Sequence, residues 1–122
     1  MRLYPGAPYE YASSGDGLVF TAGACPLDEN GRVVGVGDLE AQADRAVENL
    51  LAALAEAGCA PSELLKTTVY VVGKDRSDLE RAWRIVFSKL GRVPSTLLGV
   101  SFLGYPEQLV EIEAIAAHSR KR

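Results

Sequence analysis

Apolar residues along this chain follow two alternating periods, and the alternation divides it into elements. Residues 18–25 (LVFTAGAC) form a short run rich in strand formers, and the turn residues of 13–17 (SSGDG) precede it. A strand is expected there, with residues 9–12 as its hairpin partner and the next turn at 28–31 (DENG). From Asp38 the period lengthens: Leu39, Ala43, Ala46, Val47, Leu50, Leu51 and Leu54 recur at steps of three and four, with Glu40, Asp44, Arg45 and Glu48 pointing away. That spacing makes an amphipathic helix, with Asp38 as N-cap, Gly58 as its stop and Pro61 beyond. Residues 66–72 (KTTVYVV) return to β-branched and aromatic types and predict a strand that ends at Gly73. A second helix is expected on Leu79, Ala82, Trp83, Val86 and Leu90, opened by the capping-box spacing of Ser77 and Glu80 and closed by Gly91. Two more strands, 95–103 and 109–116, flank a turn at Gly104, Tyr105 and Pro106.

The order is ββαβαββ, an α+β arrangement in which two helices cover one face of a mixed sheet. The other face should then alternate to polar residues, yet Val19/Thr21/Gly23 is as apolar as Leu18/Phe20/Ala22, and Tyr70/Val72 as apolar as Val69/Val71. A homo-oligomer is the simplest way to bury that second face. The last strand differs, because Val110, Ile112, Ala114 and Ala116 form one apolar face while Glu111 and Glu113 share the other with Leu109 and Ile115. Carboxylates in apolar surroundings are either satisfied by partners or tuned for acid–base work.

Length and charge narrow the function. At 122 residues the chain fits a single domain, 1–122, and 48% hydrophobic with 24% charged residues is ordinary globular composition. The formal charge of −3 lacks the footprint of a nucleic-acid binder, and the one basic cluster is the tail at 118–122. No apolar run reaches the roughly 20 residues that span a bilayer and no signal-peptide pattern opens the chain, so no membrane partner and a cytoplasmic location are expected. Cys25 and Cys59 have neither CxxC nor matching histidine spacing, which predicts reduced thiols rather than a metal site. Trp83, Tyr70 and Phe102 read as packing residues.

Ala7-Pro8-Tyr9, Phe20-Thr21-Ala22-Gly23, Gln42-Ala43 with Asn49-Leu50, Lys66-Thr67-Thr68-Val69-Tyr70 and the closing run 110–116 (VEIEAIA) occur in an order that resembles the RidA/YjgF family, in register from about Pro8 to Ala116. The resemblance implies a chorismate-mutase-like fold, assembled as a homotrimer with small-molecule clefts between subunits. It also implies hydrolysis of reactive enamines and imines to 2-oxo acids and ammonia, without metal or organic cofactor. Carried over by position, Tyr9 matches the cleft tyrosine, Gly23 the glycine of the second strand, and Glu111 the glutamate that positions water.

The departures from that pattern bear on substrate. The resemblance implies an arginine in a Pro-Ala-Arg motif that clamps a substrate carboxylate, and Ser95 is aligned with it here; a hydroxyl cannot replace a bidentate cation. Ala22 stands where a serine is frequent and Leu97 where a cysteine follows the motif, while Arg92 lies three residues before Ser95 as a possible substitute clamp. Glu111 and Tyr9 are thus the candidate catalytic residues, and Ser95, Gly23, Ala22, Leu97 and Arg92 the candidate substrate-binding ones. Two functions fit: a cofactor-independent deaminase-type hydrolase whose substrate is not a usual 2-imino acid, or a non-catalytic trimer that binds a metabolite and regulates something else.

Overall fold

The computed structural model describes residues 2–118. Its strands are β1 (Ala12–Gly15), β2 (Leu18–Thr21), β3 (Leu64–Val71), β4 (Ser95–Gly99) and β5 (Val110–Ala117), with helices α1 (Leu39–Glu56) and α2 (Arg76–Leu90). They form one five-stranded sheet in the order β1-β2-β5-β3-β4. Only the β3/β4 pair, joined through α2, is parallel; the others are antiparallel.

Both helices begin where a carboxylate can accept orphan N–H groups. Asp38 accepts from the Ala41 N–H at 3.0 Å, as its position before the periodic residues implies. For α2 the capping-box spacing misled: Asp75, not Ser77, is the N-cap and accepts from the N–H groups of Ser77 and Asp78. Asp75 was overlooked because it is a cap without the glutamate three residues later that completes the box. Gly91 ends α2 with φ 72°, a conformation that costs glycine little.

The core lies between α1, α2 and the face of the sheet formed by Val19, Val69, Val71, Val110, Ile112, Ala114 and Ala116. Strict alternation along β5 puts those four residues inside and leaves Glu111, Glu113 and Ile115 on the open face. By register the same face carries Leu18 and Phe20 of β2, Lys66, Thr68 and Tyr70 of β3, and Thr96 and Leu98 of β4. It is more mixed than its apolar pairs suggested, because Val72 and Val100 fall outside the strands.

Strand limits also moved. The polar residues expected to form the first turn are strand instead: Ser13 and Ser14 pair with Phe20 and Val19, and the turn contracts to Asp16-Gly17, both with positive φ. Such a two-residue turn matches the twist of the strands it joins. β2 ends at Thr21 rather than Cys25, and β4 at Gly99 rather than Leu103. The turn expected at 104–106 belongs to a longer irregular segment, residues 100–109. Of the basic tail, residues 119–122 lie outside the described residues. Among the described residues no helix is long and apolar enough to cross a membrane.

Candidate functional site

The site arises where β2 leaves β5. The two strands pair from Leu18/Ala117 to Phe20/Ile115, after which the Thr21 hydroxyl, rather than a main-chain carbonyl, accepts the Ala114 N–H at 2.9 Å. The chain then swings back, and Ala24 forms a single bridge with Ile112. Gly23, at the apex, lies against the Glu111 side chain so closely that a Cβ there would stand 2.0 Å from Oε2. Only glycine lets this carboxylate lie across the main chain.

Two walls flank Glu111, and α1 holds both. Asn49, a buried amide on the core face of the helix, donates to the carbonyls of Cys25 and Leu27 at 2.7 and 2.9 Å. One helical stretch earlier, buried Gln42 donates to the carbonyls of Gly35 and Glu107, both at 3.0 Å, and accepts the Leu109 N–H at 2.7 Å. These amides satisfy main-chain groups that the irregular segments cannot pair among themselves. The reason for a glutamine and an asparagine in an apolar stripe is thus the fixing of the site's walls.

Within the walls, Glu111 Oε1 accepts from Gln108 Nε2 at 3.1 Å and from the Cys25 thiol at 3.5 Å. The Tyr9 and Tyr105 hydroxyls meet at 3.1 Å, and the Tyr9 ring packs edge-on against Tyr11 at 5.7 Å. Burial, followed by the charge of Glu111, pushes the Cys25 thiol up to about 12, so it is a neutral donor at ordinary pH rather than a nucleophile. Burial, and then the bond to Tyr105, raises Tyr9 as well, keeping its hydroxyl protonated.

Of the residues expected at the site, the single chain brings together Glu111, Gly23, adjacent Ala22 and Tyr9. It places the others elsewhere. The Ser95 hydroxyl lies 2.5 Å from that of Thr67, on the sheet face turned to the helices, and Leu97 packs against the core beside it. Thr96 is the residue at the start of β4 that faces outward, where it accepts from Lys66 Nζ at 2.7 Å. Arg92 lines a separate hollow of about 440 Å³ with Trp83, Phe87 and Pro94 at the end of α2. Gln108 and Tyr105 were missed because neither stands in a regular element, and a lone polar residue in a loop carries no periodic signal. Among the described residues, no group of three or more His, Cys, Asp or Glu gathers to hold a metal ion.

A family model described as Endoribonuclease L-PSP matches residues 1–118. The chain belongs to this family, RidA/YjgF. A RutC family protein of Pyrococcus abyssi is 34% identical over 114 residues, covering 92% of this chain and 87% of its own. A 3-aminoacrylate deaminase, RutC of Acinetobacter baylyi, is 44% identical over 54 residues, 44% of this chain and 43% of its own. The crystal structure of the E. coli YjgF gene product superposes with a TM-score of 0.78 at 27% identity, over 95% of this chain and 92% of that one. The family members thus share the mixed sheet and the two-helix layer described above.

Proposed function

We propose that the chain is a homotrimeric deaminase-type hydrolase that acts on a carbon–nitrogen double bond, or its enamine tautomer, in a cleft between subunits. The observation that carries this reading is the Glu111 carboxylate, with Oε1 held by two donors and Oε2 laid against Gly23. Water adds to the imine carbon and gives one proton to Glu111; the carboxyl returns it to nitrogen. Glu111 then carries the hydroxyl proton of the carbinolamine to its nitrogen, the C–N bond breaks, and ammonia leaves the oxo compound behind.

The polar groups bonded around Glu111 and Tyr9, namely Cys25, Tyr105 and Gln108, carry no positive charge. Neither Ser95 nor its outward neighbour Thr96 supplies the arginine that the resemblance implies. A substrate carboxylate would therefore face Glu111 without a counter-ion, and the preferred substrate is an imine or enamine whose anchor is not a carboxylate. That the deaminase of A. baylyi is named for an enamine substrate supports the bond type. The trimer is supported by the open sheet face with Phe20 and Leu98, and by Phe102, 82% exposed on the segment before β5.

Ammonia release from butan-2-imine and from 2-iminobutanoate, each generated in situ, tests the reading. Acceleration of the first well beyond the second is expected, together with a trimer mass by light scattering. Acceleration of neither supports the alternative, a metabolite-binding regulatory trimer; a stable monomer at micromolar concentration overturns the inter-subunit cleft.

A further inference from the structure

Gln108 is the one fully buried polar side chain of the segment between β4 and β5, 3% exposed, and every polar atom of its amide is used. Its Oε1 accepts the Tyr105 N–H at 3.1 Å, while its Nε2 donates to the Val110 carbonyl and to Glu111 Oε1, both at 3.1 Å. The main-chain donor at Tyr105 fixes which way round the amide lies, since only an oxygen can accept there. Immediately before it, Glu107 adopts φ 69°, a left-handed conformation that a non-glycine residue holds only when its surroundings impose it. The imposing contact is the bond from Gln42 on α1 to the Glu107 carbonyl. The turn that aims Gln108 inward is therefore strained and clamped from the core.

We propose that Gln108 is a positioning residue of the hydrolase: together with the Cys25 thiol it occupies Oε1 of Glu111, so that Oε2, over Gly23, is the single oxygen left to accept a proton. This rests on the reading of Glu111 as the base. The same amide holds the Tyr105 main chain, and through the phenol pair it sets Tyr9 relative to the carboxylate. One side chain thus holds both the carboxylate and the main chain that carries the Tyr105 phenol. The titratable groups facing Glu111 are Cys25 after β2, Tyr9 of the N-terminal segment, Tyr70 of β3 and Glu113 on its own strand. The thiol and both phenols are pushed upward, chiefly by burial, and stay neutral at ordinary pH, and Glu113 is bonded to Tyr70.

Gln108→Glu keeps the shape and the acceptor for Tyr105 but replaces the neutral donor with a second carboxyl that must share a proton with Glu111; Gln108→Met removes donor and acceptor alike. Ammonia release from butan-2-imine should fall at least tenfold in each, with KM changed less than threefold. Its acid limb should move to higher pH in Gln108→Met, because a donor to a carboxylate favours the charged form. In a Glu111→Gln background neither substitution should lower the residual rate further. An unmoved acid limb, or an equal loss in both backgrounds, overturns the proposal. If the wild type turns over no imine, or Glu111→Gln is fully active, the base reading fails by itself. The pair is then decided by urea midpoints of the four-variant Gln108→Glu/Glu111→Gln cycle: non-additive shifts keep Gln108 as the holder of Glu111, and additive ones remove it.

Discussion

β5 carries two carboxylates near its start, on the same open face and two residues apart, and the fold treats them in opposite ways. Glu113 lies where β5 is flanked by β3, and the Tyr70 hydroxyl donates to it at 2.8 Å. Glu111 is flanked by β3 as well, opposite Tyr70, but its polar partners are the Gln108 amide and the Cys25 thiol of irregular segments, and it lies against Gly23. Regular pairing supplies each residue with a neighbour of fixed position and so satisfies its side chain locally. Where pairing lapses, partners must be brought from a distance, and a polar group can be held in place while one edge stays open. The source of the partner, a strand residue for Glu113 and loop residues for Glu111, distinguishes the two positions.

The sharpest break of this contrast is Glu111→Gln against Glu113→Gln. The first should reduce ammonia release by about 100-fold or more, the usual span for a lost general base, and the second by no more than about threefold, with light scattering unchanged in both. Equal losses would mean that the two carboxylates are not distinct. Gly23→Ala comes next: its methyl group cannot share space with Glu111 Oε2, so the carboxylate must swing aside, and turnover should fall about tenfold with stability lowered by about 1 kcal/mol. Wild-type turnover in that variant would show that Glu111 acts from another rotamer.

A smaller effect concerns the thiol. With Cys25 raised to about 12 by burial and then by Glu111, removing the charge in Glu111→Gln lowers its pKa, and the thiolate fraction at pH 8 increases. Alkylation of Cys25, followed by mass spectrometry of the modified peptide, should accelerate severalfold; an unchanged rate would place the thiol outside the field of the carboxylate. Tyr70→Phe should be smaller still, costing about 1 kcal/mol at neutral pH through the lost donor to Glu113. Burial and the bond to Glu113 raise Tyr70 from 10.0 to about 12 in the fold, so its contribution is complete below pH 10 and disappears as pH rises through 12. Urea midpoints of wild type and Tyr70→Phe should accordingly differ below pH 10 and converge above 12.

The sequence made the regular elements legible because each leaves a period: the α1 stripe, the alternation of β5 and the β-branched run of β3 all stand within a few residues of their expected limits. Errors gathered where one signal stands for two structures. Ser13 and Ser14 are turn formers by composition but lie in an edge strand with one side in solvent, where serine is tolerated. Asp75 caps α2 without the second half of a capping box. Half of the site was visible too: Glu111 as a carboxylate on the otherwise apolar second face of the last strand, and Gly23 through the family resemblance. Gln108 and Tyr105 were not visible, because their positions depend on Gln42 and the left-handed Glu107, contacts that link residues 65 positions apart. Ser95 shows the limit of alignment by motif: a shift of one residue in a strand exchanges the solvent face for the core face, so only the register with Thr67 says which side it serves.

The last strand of the sequence is the middle strand of the sheet. Until β5 has been made, β1 can pair only with β2 and β3 only with β4, and neither two-stranded ribbon is stable alone. A growing chain therefore leaves the ribosome with its halves unjoined and its α1 stripe uncovered, and completes its fold only after residue 117 emerges from the exit tunnel. A chain stopped at Leu109 should show helix by far-ultraviolet dichroism but none of the native near-ultraviolet signal, and chaperone dependence during synthesis should be set by the eight residues of β5.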